Sequence, residues 1–324
     1  MRESLAAPFA LRGKPVRVTA SAGLALYPQD GDNAGALLAA AEAAMYAAKA
    51  QGRDRLRRYT PELAAAAALR VDLENDLRAA LAAGQFVLHY QPKLRARDGG
   101  LSGFEVLLRW QRPGSGMVPP LQFIPLAEQL GLLVQIGAWV VEQACQTMAA
   151  WRAAGLGRIP VAVNLSPSQL QSPQLLPGVR AAMQAHGIAP GELEMEVTES
   201  MMMAEPEQAI AILQGLADAG VVLSIDDFGT GYSSMAYLKL LPVRWLKLDR
   251  QFVKEVDTDP RDADLCAGII ALAHQLGLQV VAEGVETAAQ RDVLAARGCD
   301  VFQGYWFSKP LPLQEAADYV RALG

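Results

Sequence analysis

The sequence predicts an α/β chain dominated by a (β/α)8 TIM-like barrel with its first strand antiparallel, plus a partial α/β fragment at the N-terminus. Three observations carry that prediction. Eight apolar strand candidates, 86–91, 101–109, 159–166, 193–199, 221–227, 244–249, 278–283 and 300–306, span about 240 residues, the size of one such barrel. From the second strand onward helical segments separate them, for example 123–153, 206–219, 262–276 and 287–297. Only about nine residues, 92–100, join the first two strands, too few for a parallel crossover of roughly a dozen or more. A doubly wound open sheet is the structural alternative.

The elements in front of the barrel read differently. Residues 16–27 (VRVTASAGLALY) alternate and are β-rich, ending at Pro28 and the turn-forming QDGDN. An Ala-rich helix follows over 34–51, with Leu37, Leu38, Ala41, Met45 and Ala48 at helical spacing and Gly52 as its stop. One strand and one helix cannot bury a core alone, so residues 1–60 read as part of a larger domain. Pro61 opens a second Ala-rich helix, and 61–83 read as a linker helix leading into a barrel over 84–324.

Composition narrows the function. Of 324 residues, 52% are hydrophobic and 19% charged, which supports a large core and excludes wholesale disorder. A net charge of −5 argues against coating a nucleic-acid polymer, which needs a basic excess. The longest apolar run, 131–141 broken by Gln135, is too short to cross a bilayer. Cys145, Cys266 and Cys299 are far apart and odd in number, and the start MRESLAAPFALRG lacks a cleavage site, so a reducing cytoplasm is expected. His89, His186 and His274 are not paired at ligand spacing, so any metal would be a hard cation on oxygen ligands.

The informative feature is where ionisable groups fall within apolar strands. Glu105, Leu107 and Arg109 share one face of LSGFEVLLRW, with Phe104, Val106 and Leu108 on the other. Asn164 follows an apolar run, Glu196 and Glu199 flank Val197 and Thr198, and Asp226 and Asp227 end a strand. Lys247 lies between two leucines, Glu283 follows QVVA, and Gln303 follows Val301 and Phe302. Burying such groups singly costs several kcal/mol each, whereas strand carboxyl ends converge at the barrel mouth. Gathered carboxylates repel unless cations neutralise them, and oxygen donors select Mg²⁺ or Mn²⁺. A divalent pair roughly 3.5–4 Å apart is a common device of phosphoryl chemistry. Taken singly, each group has a plainer reading. Thr198 to Ser200 and Glu286 with Thr287 suit helix caps, and Lys247 with Asp226 suits a structural ion pair. DFGTGYSS lacks the Gly-Lys-Ser/Thr of a phosphate loop.

YQPKL, FEVLLRW, VPPLQFIPLAEQLGL, VNLSPSQL, EMEVTES, IDDFGTGYSS, LPVRWLKLDRQFV, VVAEGVE and GCDVFQGYWFSKPLP, in unbroken order over 84–314, together resemble an EAL domain, the cyclic di-GMP phosphodiesterase module. The upstream VRVTASAGLALYPQDG and AAMYAAKAQGRDR are similar to the C-terminal part of a GGDEF diguanylate cyclase domain. The resemblance implies hydrolysis of one phosphodiester of cyclic di-3',5'-GMP to linear pGpG, with Mg²⁺ or Mn²⁺, two per site. It implies Glu105, Asn164, Glu196 and Asp226 as ligands of one metal and Asp227 as a ligand of the second. It further implies Glu199 as anchor of a substrate loop beginning at Asp227, and Lys247 as the group that orients water or neutralises phosphate. Glu283 is implied as general base or second-site ligand, Glu286 as site support, Gln303 as a holder of the site or water, and Gln91 and Arg109 as ligand contacts. A homodimer is also implied. Val106 stands where the name motif has Ala, and Gln122 where an acid is common. No GGDEF sequence occurs, so residues 1–60 are not expected to synthesise cyclic di-GMP. The alternative is a cyclic di-GMP receptor that has lost turnover, although this chain lacks none of the implied metal acids.

Overall fold

A computed structural model describes residues 9–11, 14–16, 18–50, 52, 54–229 and 238–323. The chain divides into two compact units at residues 79 and 80.

In the first unit, β1 (Phe9–Leu11) and β2 (Lys14–Val16) pair antiparallel, and β3 (Ala22–Leu24) pairs parallel with β4 (Leu56–Arg58). The β-rich run expected over 16–27 is therefore not one strand but two short ones, with Arg17 outside the described residues. Helix α1 (Ala34–Ala50) packs on β3, where Gly23 is obligatory: a Cβ there would lie 1.8 Å from the Ala41 carbonyl oxygen. Gly52 follows with φ of 100°, the left-handed stop that glycine tolerates. Helix α2 (Pro61–Ala80) starts on its proline.

In the second unit eight strands close a barrel: β5 (Phe86–Arg95), β6 (Leu101–Arg112), β8 (Val161–Asn164), β9 (Leu193–Thr198), β10 (Val222–Phe228), β11 (Trp245–Leu248), β12 (Gln279–Ala282) and β13 (Val301–Phe302). From β6 through β13 these neighbours are parallel. β5 is antiparallel to both β6 and β13 and completes the ring, as the short 92–100 connection requires. Short strands β7 (Gly116–Val118) and β14 (Leu311–Pro312) extend the two edges.

The helices pack outside the ring. The segment expected as one helix over 123–153 is two, α3 (Pro120–Gln129) and α4 (Leu133–Ala153), because Gly131 takes φ of 70° between them. Rings of Phe86, Trp110 and Phe123 pack together on the outer side of β5 and β6, and those of Tyr90, Phe104 and Trp151 form a second cluster there. Helices α5 (Pro167–Leu170), α6 (Leu175–His186), α7 (Glu199–Ala204), α8 (Pro206–Asp218), α9 (Arg250–Val253), α10 (Pro260–Gln275), α11 (Ala288–Ala296) and α12 (Leu313–Leu323) complete the unit. The last strand is shorter than the expected 300–306 and ends before Gln303, so Tyr305 and Trp306 stand half exposed in the loop beyond it. All three cysteines are buried and free. No helix among the described residues is long and apolar enough to cross a membrane.

Candidate active site

Parallel pairing aligns the carboxyl ends of β6 and β8 to β12, and the register brings the polar residues to one level. Glu105 pairs with Gln91 across β5 and β6, Asn164 with Glu196 across β8 and β9, and Lys247 lies on β11 between them and Glu283 at the end of β12. β10 adds an irregularity. A straight strand sends consecutive side chains to opposite faces, but the pairing of β10 with β11 slips between Ile225 and Phe228, and Asp227 takes φ of 53°. This bulge keeps Asp226 and Asp227 together: carboxylate oxygens of Asp226, Asp227 and Glu283 lie within 4.8 Å of one another.

At the centre is the Lys247 ammonium, only 1% exposed. It lies 2.6 Å from Glu283 Oε1, 3.2 Å from Asp226 Oδ1 and 3.6 Å from Glu105 Oε2, and it donates to Glu196 Oε2. Burial disfavours its charge, but the four carboxylates outweigh burial and hold its pKa well above the ordinary lysine value. The expected Lys247–Asp226 ion pair exists, then, as one contact of a five-membered cluster.

The carboxyls divide by environment. Glu105 is held below its usual pKa although burial opposes its charge, because Lys247 lies beside it and Gln303 and Asn164 donate to it at 2.6 and 2.7 Å. Glu196 is pushed well above the carboxylate range, first by burial and then by Glu105. Glu283 rises to about 8 through burial and the Asp226 and Glu105 charges, against the pull of Lys247. Asp227 rises to about 6 through burial and Asp226. Six carboxyls (Glu105, Glu194, Glu196, Asp226, Asp227, Glu283) thus crowd around two buried ammoniums, Lys93 and Lys247.

The supporting groups are equally local. Gln303 Nε2 bridges Glu105 and Gln91 Oε1, and Gln91 donates onward to the Ser308 carbonyl. Gly304 makes that turn possible, since a Cβ there would lie 2.1 Å from the Val285 carbonyl oxygen. Glu199, 3% exposed, starts α7 and accepts from the Gly229 amide at 3.3 Å. The TGYSS segment, 230–234, lies outside the described residues. Glu286 lines the mouth cavity of about 200 Å³ together with Glu105, Asp226, Lys247, Glu283 and Gln303. Arg109 does not line it; its guanidinium is half-buried and donates to the Leu108 carbonyl. Of the suspected caps, Thr287 closes a capping box with Gln290 at the start of α11, while Thr198 makes no side-chain cap.

Sequence reasoning missed three side chains here. Arg250 and Tyr305 line the cavity, and Lys93 lies under Glu196. Lys93 and Arg250 sit inside quoted motifs, but nothing in their spacing says which strand-end group they face.

The donor set fits hard divalent cations. All donors are oxygens, the acids outnumber the ammoniums, and Glu196 Oε1 is buried without accepting a hydrogen bond from the described residues.

Fold and site together define an α/β barrel with a polyacid, oxygen-donor centre at its C-terminal mouth. Residues 74–310 match the EAL domain family and residues 1–55 match the diguanylate cyclase GGDEF domain family; the chain belongs to the EAL domain family. It is 45% identical over 308 residues to the bifunctional diguanylate cyclase/cyclic di-GMP phosphodiesterase MucR of Pseudomonas aeruginosa, covering 95% of this chain and 45% of that protein. It is 42% identical over 322 residues to the cyclic di-GMP phosphodiesterase NbdA of the same species, covering 99% of this chain and 41% of that protein. The chain thus spans less than half the length of these curated relatives. Among solved structures, the PaMucR phosphodiesterase in complex with c-di-GMP superposes with a TM-score of 0.73 at 46% identity, covering 76% of this chain and 99% of that one.

Proposed function

We propose that this chain hydrolyses one phosphodiester bond of cyclic di-3',5'-GMP to give linear pGpG, with Mg²⁺ or Mn²⁺, two per active site. The observation that carries the reading is the convergence of Glu105, Glu196 and Asp226, from three strands, and Glu283, directly after a fourth, on the single buried ammonium of Lys247. Relatives whose names give cyclic di-GMP phosphodiesterase activity supply the substrate class.

Glu105, Asn164, Glu196 and Asp226 would hold one cation, and Asp227 would belong to the second. When bound, such cations supply positive charge against the phosphate oxygens and lower the pKa of a coordinated water. Glu283 is the general base: its carboxyl lines the cavity 2.6 Å from Lys247, and because burial raises its pKa to about 8 its proton-accepting form is gained as pH rises through that value. The water oxygen bonds to phosphorus, one ring P–O bond breaks, the released ribose oxygen takes up a proton from solvent to become a hydroxyl, and the ring opens. Lys247 keeps Glu283 directed inward and balances charge on the phosphate. Gln303 and Asn164 fix the Glu105 carboxylate, and Gln91 holds Gln303. Glu199 anchors the substrate loop through Gly229, and Glu286 supports the mouth. Gln91, Gln303 and Arg109 contact the ligand, Arg109 by swinging its fork of donors from Leu108. In this reading the chain acts in the cytoplasm as a homodimer, on cyclic di-GMP rather than a nucleic-acid polymer, and its residues comprise a 1–60 GGDEF-type fragment, a 61–83 linker helix and an 84–324 catalytic barrel.

The test is chromatographic: Mn²⁺-dependent conversion of cyclic di-GMP to pGpG, abolished in Glu105→Ala. Binding without turnover under the same conditions favours the receptor alternative, and absence of both overturns the assignment.

A further inference from the structure

Below the mouth the barrel interior carries a second charged layer. β5 runs antiparallel to β6, and Lys93 pairs with Gly103, so it lies one layer nearer the barrel's base than Gln91 opposite Glu105. Glu194 precedes Glu196 by two residues on β9, so it lies on the same face one layer lower. Both are buried. The Lys93 ammonium donates to Glu194 Oε2 at 2.7 Å, and Ser224 Oγ donates to Glu194 Oε1 at 2.8 Å. Lys93 Nζ also lies 3.7 Å from Glu196 Oε1, the oxygen that accepts no hydrogen bond from the described residues. Carboxyl and ammonium groups therefore alternate along the interior as Glu194, Lys93, Glu196 and Lys247.

Fold stability alone gives little reason for such a layer, because a buried Lys–Glu pair is often no more stabilising than apolar residues of similar volume. What the pair does provide is direction. Lys247 faces one oxygen of Glu196 and Lys93 faces the other, from below, which fixes the plane of that carboxylate.

We propose that Lys93, clamped by Glu194, is a positioning residue that orients Glu196 for metal binding. The inference rests on the proposed metal-dependent phosphodiesterase reading. Lys93 touches neither substrate nor the reacting atoms; it acts through Glu196.

Lys93→Met alone strands the Glu194 charge and can unfold the chain, so the deciding variant is Lys93→Met/Glu194→Met in the full chain, which removes both charges together. Mn²⁺ affinity is read by electron paramagnetic resonance, kcat and KM with cyclic di-GMP, and folding by circular dichroism. The expected result is a folded double variant whose Mn²⁺ affinity falls about 10–100-fold, as for other groups that orient metal ligands, with lowered kcat and unchanged KM. Lys93→Arg, which keeps the cation, should bind Mn²⁺ more tightly than the double variant. A folded double variant with parental Mn²⁺ affinity and kcat overturns the inference while leaving the phosphodiesterase reading intact. A parent chain that neither binds Mn²⁺ nor turns over cyclic di-GMP overturns both.

Discussion

The carboxyl of Glu283 and the ammonium of Lys247 lie 2.6 Å apart, yet Glu283 keeps a pKa raised to about 8. Burial and the neighbouring acids outweigh a direct ion pair, so the carboxylate form of Glu283 is gained only as pH rises through about 8, and a base role predicts turnover that rises over the same range. Glu283→Gln keeps the side-chain volume and the contact to Lys247 but removes the proton acceptor. Turnover should drop by roughly 10²–10⁴ with cyclic di-GMP affinity retained, as read by calorimetry alongside product formation. An unchanged kcat in that variant removes Glu283 from the role of base. At this scale the identities of the central acids were readable as polar letters at apolar strand ends. The partnership of Lys93 with Glu194 was not, because it joins residues 101 positions apart on strands that never pair.

Among the elements, β10 shows how local geometry departs from pattern. Period-two alternation would place Asp226 and Asp227 on opposite faces, and only the bulge with left-handed Asp227 lets both serve one centre. No periodicity in the sequence announces such a bulge. The break between α3 and α4 at Gly131 was visible as a letter but hidden in a long helical pattern. Helix α11 follows the segment 283–287, and its Gln290 accepts from the Glu286 amide and completes the Thr287 box. Thr287→Ala should therefore cost ~1 kcal/mol, seen as a fall of about 2–4 °C in melting temperature. A melting temperature equal to the parent's would show that the cap contributes nothing to the barrel.

For the whole molecule, the barrel closes through its own strands and buries its own core, from Phe104 and Trp110 to Leu246 and Val280. Deleting residues 1–60 should therefore leave a chain that folds and hydrolyses cyclic di-GMP at a rate within severalfold of the parent. Loss of all soluble protein on that deletion would show that the N-terminal unit is needed for the barrel to fold. The sequence by itself determined the number and order of the eight barrel strands, the antiparallel start and most of the acids of the centre. Each of these follows from short-range facts: hydropathy runs, loop length, and a polar residue at a strand's end. Only the tertiary structure decided which groups meet. Lys247 links four acids at once, Arg109 turns aside to Leu108, and a second lysine supports Glu196 from beneath. Those contacts depend on register across closed strands and on side-chain reach through a low-dielectric interior, and neither is written in the spacing of letters along one strand.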